Sequence, residues 1–128
     1  MSALSDYAEL KVLDHLLGTA TFTKPSAVYI GHAGQSLADD GSGTETSGNN
    51  YARQAITFAA ASSGSAASNA TVNFPAASGS QGAITHFGIF DNSSGGNLLA
   101  HGAFDSSKTI ATGDILRINS GSITITAA

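Results

Sequence analysis

The sequence predicts a mainly β fold, either an antiparallel β-sandwich or a jelly-roll-like barrel of about seven or eight strands, with one N-terminal α-helix. Three observations support this prediction. Apolar residues alternate with period two over much of the chain after residue 27, clusters of Gly, Asn, Asp and Ser separate the alternating runs, and a single segment has helical periodicity. At 128 residues we expect a single domain, 1–128, with the sandwich at 27–127.

The helix is predicted over residues 5–17. Ser5 or Asp6 can cap its first turn, and Gly18 supplies the left-handed residue that ends many helices. Its apolar side chains recur at helical spacing and form one stripe: Tyr7, Leu10, Leu13 and Leu17. The stripe either covers a sheet face of its own domain or packs against a neighbouring subunit, so these four residues are the candidate protein-interaction site.

The strands follow the helix at short intervals. In 83–90, the most regular of them, alternation places Ile84 and Phe90 on one face, and a turn cluster at 91–96 predicts a hairpin partner. Residues 33–50 form a long loop, expected to be solvated and to tolerate deletion of 40–48. The strands are predicted at 27–32, 51–58, 70–74, 83–90, 97–104, 115–118 and 122–126, with a weaker one at 109–111.

Composition excludes several functional classes. The chain has 5 basic and 9 acidic residues for a net charge of -4, which lacks the basic footprint of a nucleic-acid-binding protein. It has no cysteine, no apolar run long enough for a membrane span, and no pattern of a signal peptide. Ala, Ser, Gly and Thr make up 67 of the 128 residues and only 11% are charged, which suits a surface covered by neighbouring proteins.

Catalytic, metal-binding and cofactor motifs are not evident, so we expect no enzyme activity, no metal and no cofactor. His86 and His101 lie on strands predicted to pair and could approach each other, but further ligands at metal-site spacing are missing. Asp39, Asp40 and Glu45 lie in the long loop without the spacing of an EF-hand. The sequence therefore indicates a structural or binding protein.

Several motifs resemble a family of small virion structural proteins of tailed bacteriophages, often labelled tail-fibre or capsid decoration (cement) proteins. The resemblance covers most of the chain. Its motifs are 13–18 (LDHLLG), 29–31 (YIG), 51–53 (YAR), 84–91 (ITHFGIFD), 95–102 (GGNLLAHG), 113–118 (GDILRI) and 122–126 (SITIT).

The resemblance implies a virion part, and together with the low charge it leads us to expect a capsid decoration protein on the outside of the head, made in the host cytoplasm. Its expected partners are the major capsid protein and itself, as a dimer or trimer, with no nucleic acid and no membrane. The alternative is a tail-fibre or tail-tip component acting as an adaptor or receptor-binding module, although 128 residues leave no room for a fibre shaft. A carbohydrate- or calcium-dependent binding module is a third possibility, which the absence of Trp and the dispersed Tyr residues disfavour.

Overall fold

Alternating apolar residues form β-strands, which make up the larger part of the regular secondary structure. The computed structural model describes residues 2–127, which contain nine strands and one helix. In chain order these are β1 (Ser2–Leu4), α1 (Asp6–Leu16), β2 (Val28–Ala33), β3 (Gln54–Ile56), β4 (Ser65–Ala67), β5 (Val72–Asn73), β6 (Gly82–Phe90), β7 (Leu98–Ile110), β8 (Arg117–Ile118) and β9 (Thr124–Thr126). The predicted fold class, mainly β with one helix near the N-terminus, is confirmed.

The main sheet has five antiparallel strands in the order β1-β7-β6-β2-β3. The predicted hairpin is confirmed as β6 and β7, with Gly88 opposite His101. Strand β7 is longer than predicted, because the weak strand expected at 109–111 is its far end, where Ile110 pairs with Gly82.

Two small sheets, β4–β9 and β5–β8, complete the molecule. Side chains of β5, β8 and β9 pack with those of the main sheet in one apolar core, and the sheets of residues 2–127 do not close into a barrel. The buried core comprises Ile30, Ile56, Val72, Phe74, Ala77, Ile84, Phe87, Ile89, Ala100, Ile110, Leu116, Ile118 and Ile123.

A register shift changes which face of β6 each side chain occupies. Ile84 lies opposite Lys108 and His86 lies opposite Ala103, so two steps along β6 correspond to five along β7. This irregularity puts Ile84 in the same core as Phe87, three residues later. The predicted grouping of Ile84 with Phe90 is therefore wrong, because alternation assumes an unbroken ladder.

The opposite face of the main sheet has a smaller apolar cluster of Ala33, Leu37, Phe90 and Leu98. Leu37 belongs to the loop predicted at 33–50, which in the structure runs over 34–53 and covers this face. The loop is largely at the surface, as expected, but it is packed as well as solvated. Two strands were not predicted, β1 and β4.

The predicted helix is confirmed, with Ser5 rather than Asp6 as its N-cap. Gly18, at φ +80°, ends it as predicted. No helix within residues 2–127 has the length and apolar character that crossing a bilayer requires.

Candidate functional site

The first turn of α1 is fixed to the main sheet. The Ser5 side chain is buried, where its Oγ accepts the N–H of Ala8 at 3.1 Å and donates to the carbonyl of Leu98 in β7. The N–H of Asp6 donates to the carbonyl of Asp39 in the loop at 2.8 Å. The base of the helix therefore has a defined orientation on both β7 and the loop.

The rest of the helix projects from this base. Ala8 is its one buried residue, and residues 9–21 are all exposed. At about 100° per residue, Ala8 lies on the side of the helix opposite Leu10, Leu13 and Leu17. Four leucines of the helix and its C-cap are exposed, and together we call them the leucine face. They are Leu10 (63% exposed), Leu13 (52%), Leu16 (73%) and Leu17 (75%).

The structure brings together three of the four predicted interaction residues. Leu10, Leu13 and Leu17 share the leucine face, which Leu16 extends. Tyr7 lies one turn before Leu10, and its half-buried side chain is next to Lys11, whose ammonium is 5.6 Å from the ring centroid. The stripe does not cover the protein's own sheet, so its apolar area is available to a neighbouring molecule.

The end of the helix is held by its own backbone. The N–H of Thr19 donates to the carbonyl of Asp14 at 2.9 Å and that of Gly18 to His15, which is a Schellman motif. The N–H of Phe22 then donates to Nδ1 of His15 at 3.1 Å. These caps satisfy helix carbonyls and help to keep the exposed turn helical.

A second cluster of polar groups anchors the 34–53 loop. Arg53 binds the carboxylate of Glu45, with Nη2 2.8 Å from Oε1 and Nε 3.0 Å from Oε2. Nη1 of Arg53 donates to the carbonyls of Asn92 at 2.8 Å and Gly95 at 2.7 Å, and the guanidinium lies 3.5 Å from the ring centroid of Phe90. The Arg53 side chain is only 9% exposed. It thus joins the loop to the β6–β7 turn.

His32 and Tyr51 extend this cluster into the core. The Tyr51 hydroxyl donates to Glu45 and accepts the N–H of His32, while Nδ1 of His32 is 2.9 Å from Oγ1 of Thr46. His32 is fully buried between the rings of Tyr51 and Phe74. Burial lowers the pKa of His32 to about 4, although the negative charge of Glu45 acts in the opposite direction. Burial and the bond to Glu45 raise the pKa of Tyr51.

A cavity of about 420 Å³ lies between the base of α1, the loop and the β6–β7 turn. Asp39 and Asp40 line it, and the carboxylate of Asp39 is 2.6 Å from Nε2 of His101. Hydrogen bonding from Ser42 lowers the pKa of Asp40. Glu45 also lines this cavity, but its carboxylate is bound by Arg53.

The histidines do not assemble a metal centre. His86 lies opposite Ala103 and its Nδ1 is 2.7 Å from Oγ1 of Thr85, whereas His101 is bound to Asp39. Within residues 2–127 no three His, Asp or Glu side chains are grouped as a metal ion would require.

Sequence reasoning did not find the link between Glu45 and Arg53. It treated Glu45 as a solvated loop carboxylate beside Asp39 and Asp40, but the carboxylate is held by Arg53 and Tyr51. One signal was available at Gly31, where a Cβ would come within 2.5 Å of a Glu45 carboxylate oxygen. A glycine inside a strand often marks such a close approach.

The match to known proteins covers the helix and nearly all of the sheet. A family model described as podophage GP4 fiber I protein gp80 matches residues 3–126. The chain belongs to the gp80 family. Membership of the gp80 family confirms the resemblance to tailed-phage virion proteins and shows a virion structural role. No curated protein matches the chain.

Proposed function

We propose that the chain is a component of a podophage-type tail fibre, where it has a structural and non-catalytic role. The observation that carries this proposal is the match of residues 3–126 to a family described as a fibre protein. The leucine face is the surface through which the chain joins its neighbours in the particle.

The exposure of the leucine face supports an assembly role. Its four leucines are each more than half exposed, and fully burying one leucine stabilises a complex by about 1.5–3 kcal/mol. An isolated helix of 11 residues is marginal in water, so a neighbour that covers α1 would also stabilise its helical form. Contiguous apolar patches on soluble proteins commonly mark such contacts.

Decoration of the capsid exterior, by binding to the major capsid protein, is the second candidate. The low content of charged residues favours it, because 11% charge suits a surface largely covered by a protein lattice. In either location the chain would use the same exposed helix and would require no cofactor.

Labelling of intact particles separates the two locations. Gold-conjugated antibody fragments against the chain, viewed by negative-stain microscopy, should mark the tail alone. Quantitative mass spectrometry of the same particles should give far fewer copies than of the major capsid protein. Label spread over the head, with a copy number comparable to that of the capsid protein, would replace the fibre proposal by the decoration proposal.

A further inference from the structure

We propose that the leucine face of one copy docks into a groove around Ile115 of a second copy, so that each contact joins two different surfaces of identical chains. This inference rests on the assembly role proposed above for the leucine face and names its partner. It follows from where the remaining exposed apolar surface, the sheet edges and the charges lie.

The groove is formed where the chain enters and leaves the β5–β8 pair. We call it the Ile115 groove; it is open to solvent, has a volume of about 640 Å³, and is lined by Asn73, Phe74, Pro75, Ala76, Ile115 and Arg117. Ile115 is 60% exposed, and within residues 2–127 it is the only large exposed hydrophobic residue outside α1 and its C-cap residue Leu17. Apart from the helix of the second copy, Ile115 is therefore the exposed apolar residue of that copy to which the leucine face can bind.

The two surfaces lie towards opposite edges of the main sheet. Helix α1 contacts β1 and β7, at the β1 edge, whereas β5 contacts β3, the strand at the other edge. A contact between two different surfaces of identical chains is heterologous, and it leaves one surface of each kind free at the ends. Repetition of this contact produces a ring or a fibre.

The charges around the leucine face are acidic. At about 100° per residue, Asp6 and Glu9 lie at its N-terminal end and Asp14 lies along its side. Lys11 is further round the helix, where its ammonium is near the Tyr7 ring. Two leucine faces packed against each other would bring these acidic borders together, which disfavours a symmetric helix pair.

The charge at the Ile115 groove is complementary to the acidic residues that border the leucine face. Arg117 is exposed at its border, with Nε 3.3 Å from Oδ1 of Asn73. Asp114, the acid next to Ile115 in the sequence, accepts the N–H of Ala111 at 2.8 Å and is not among the lining residues. An acidic helix border facing Arg117 favours this groove over a second leucine face.

Crosslinking of cysteine variants tests the pairing, because the chain has no cysteine of its own. Leu13→Cys and Ile115→Cys are purified separately, mixed and treated with a short bis-maleimide. The mixture should give covalent dimers that neither variant gives alone, and the double variant should give a ladder of higher oligomers. Dimers of Leu13→Cys alone would show a helix pair and overturn the proposal, as would a mixture that stays monomeric. Thr109→Cys, at an exposed position on β7, is the matched control for Ile115→Cys.

Charge exchange gives a second test. Arg117→Glu should lower the yield of crosslinked dimer about fivefold, and Glu9→Lys on the partner should restore it. A yield unaffected by either change would contradict the charge argument. Labelling of the tail without the predicted crosslink would overturn this pairing and leave the fibre proposal intact. The crosslink together with labelling of the head would support this pairing and overturn the fibre proposal.

Discussion

Arg53 binds Glu45 through both Nε and Nη2, and this pair holds the 34–53 loop against the start of β3. The same guanidinium reaches the β6–β7 turn through the carbonyls of Asn92 and Gly95. One side chain therefore ties the 34–53 loop to a turn about forty residues further along the sequence.

Replacing Arg53 by Ala should lower the free energy of unfolding by about 3 kcal/mol, because Glu45 and two turn carbonyls lose their partner. Chemical denaturation followed by circular dichroism measures this change. Lys24→Ala, which removes an exposed cation, is the control and should change stability little. An Arg53→Ala variant as stable as this control would mean that the pair contributes nothing.

Acidification should destabilise the protein through His32. Its pKa is about 4 when folded and about 6.5 when unfolded, so the unfolded chain takes up a proton that the folded chain does not. Its stabilising contribution is complete above pH 6.5 and is lost as the pH falls to 4 and below, by about 3 kcal/mol at pH 4. Unfolding experiments between pH 7 and 4 should show a shallower pH dependence for His32→Gln than for the wild type. Thr109→Ala, which removes no titratable group from an exposed position, should keep the wild-type slope, and identical slopes for all three proteins would refute the role of His32.

The loop should not tolerate the deletion that its sequence suggests. Removing residues 40–48 removes Glu45, the partner of Arg53, and Thr46, whose N–H donates to the carbonyl of His32 at 3.0 Å. We expect a clear loss of thermal stability. Gly43→Ala should destabilise by about 2 kcal/mol, because its Cβ would collide with the backbone at Leu37. Ser47→Ala, exposed in the same loop, should be neutral, and a stable deletion variant would show that these contacts are dispensable.

Ser5→Ala should loosen the base of the helix. The variant loses the N-cap bond to Ala8 and leaves the Leu98 carbonyl without its hydroxyl donor, at a cost of about 1–2 kcal/mol. Hydrogen exchange of the α1 amides should accelerate more than that of the β6 amides. Ser107→Ala, on the exposed part of β7, is the matched serine control. Equal protection of α1 in both variants would count against an anchoring role for Ser5.

Leu13→Asp should block assembly without unfolding the chain, because Leu13 is 52% exposed and makes no part of the buried core. Thermal denaturation should be close to wild type, while incorporation into particles, measured by immunoblotting of purified virions, should fall strongly. Thr109→Asp controls for the added charge at another exposed site. Normal incorporation of Leu13→Asp would remove the leucine face from the assembly surface.

The parts of the fold that sequence could predict are those with local signals. The helix has a cap at Ser5, a terminator at Gly18 and a leucine repeat between them, and the β6–β7 hairpin has regular alternation around a glycine-rich turn. Strand β1, by contrast, is three residues long and depends on pairing with residues 100–102, so no local pattern marks it. Strand β4 lies in a stretch of Ala and Ser in which no periodicity can be seen.

The candidate site was predicted in part for the same reason. Helical spacing identified Leu10, Leu13 and Leu17, but spacing alone does not show whether the sheet or another molecule covers them. Their own exposure, with Ala8 as the one buried residue of the helix, shows that they face outward. The contact of Arg53 with the β6–β7 turn joins positions about forty residues apart in sequence, and no sequence motif predicts it.

The pairing of Ser2 with Gly102 has a consequence for synthesis on the ribosome. Strand β1 and the base of α1 have no place to dock until β7 has been translated, and Ser2 also accepts the N–H of Thr126 near the far end of the chain. Until then the helix is tethered to an unfinished sheet and cannot present its leucines in a fixed direction. On the pairing of copies proposed above, folding would precede assembly, because the leucine face gains a fixed direction only after β7 has been made and β1 has paired with it.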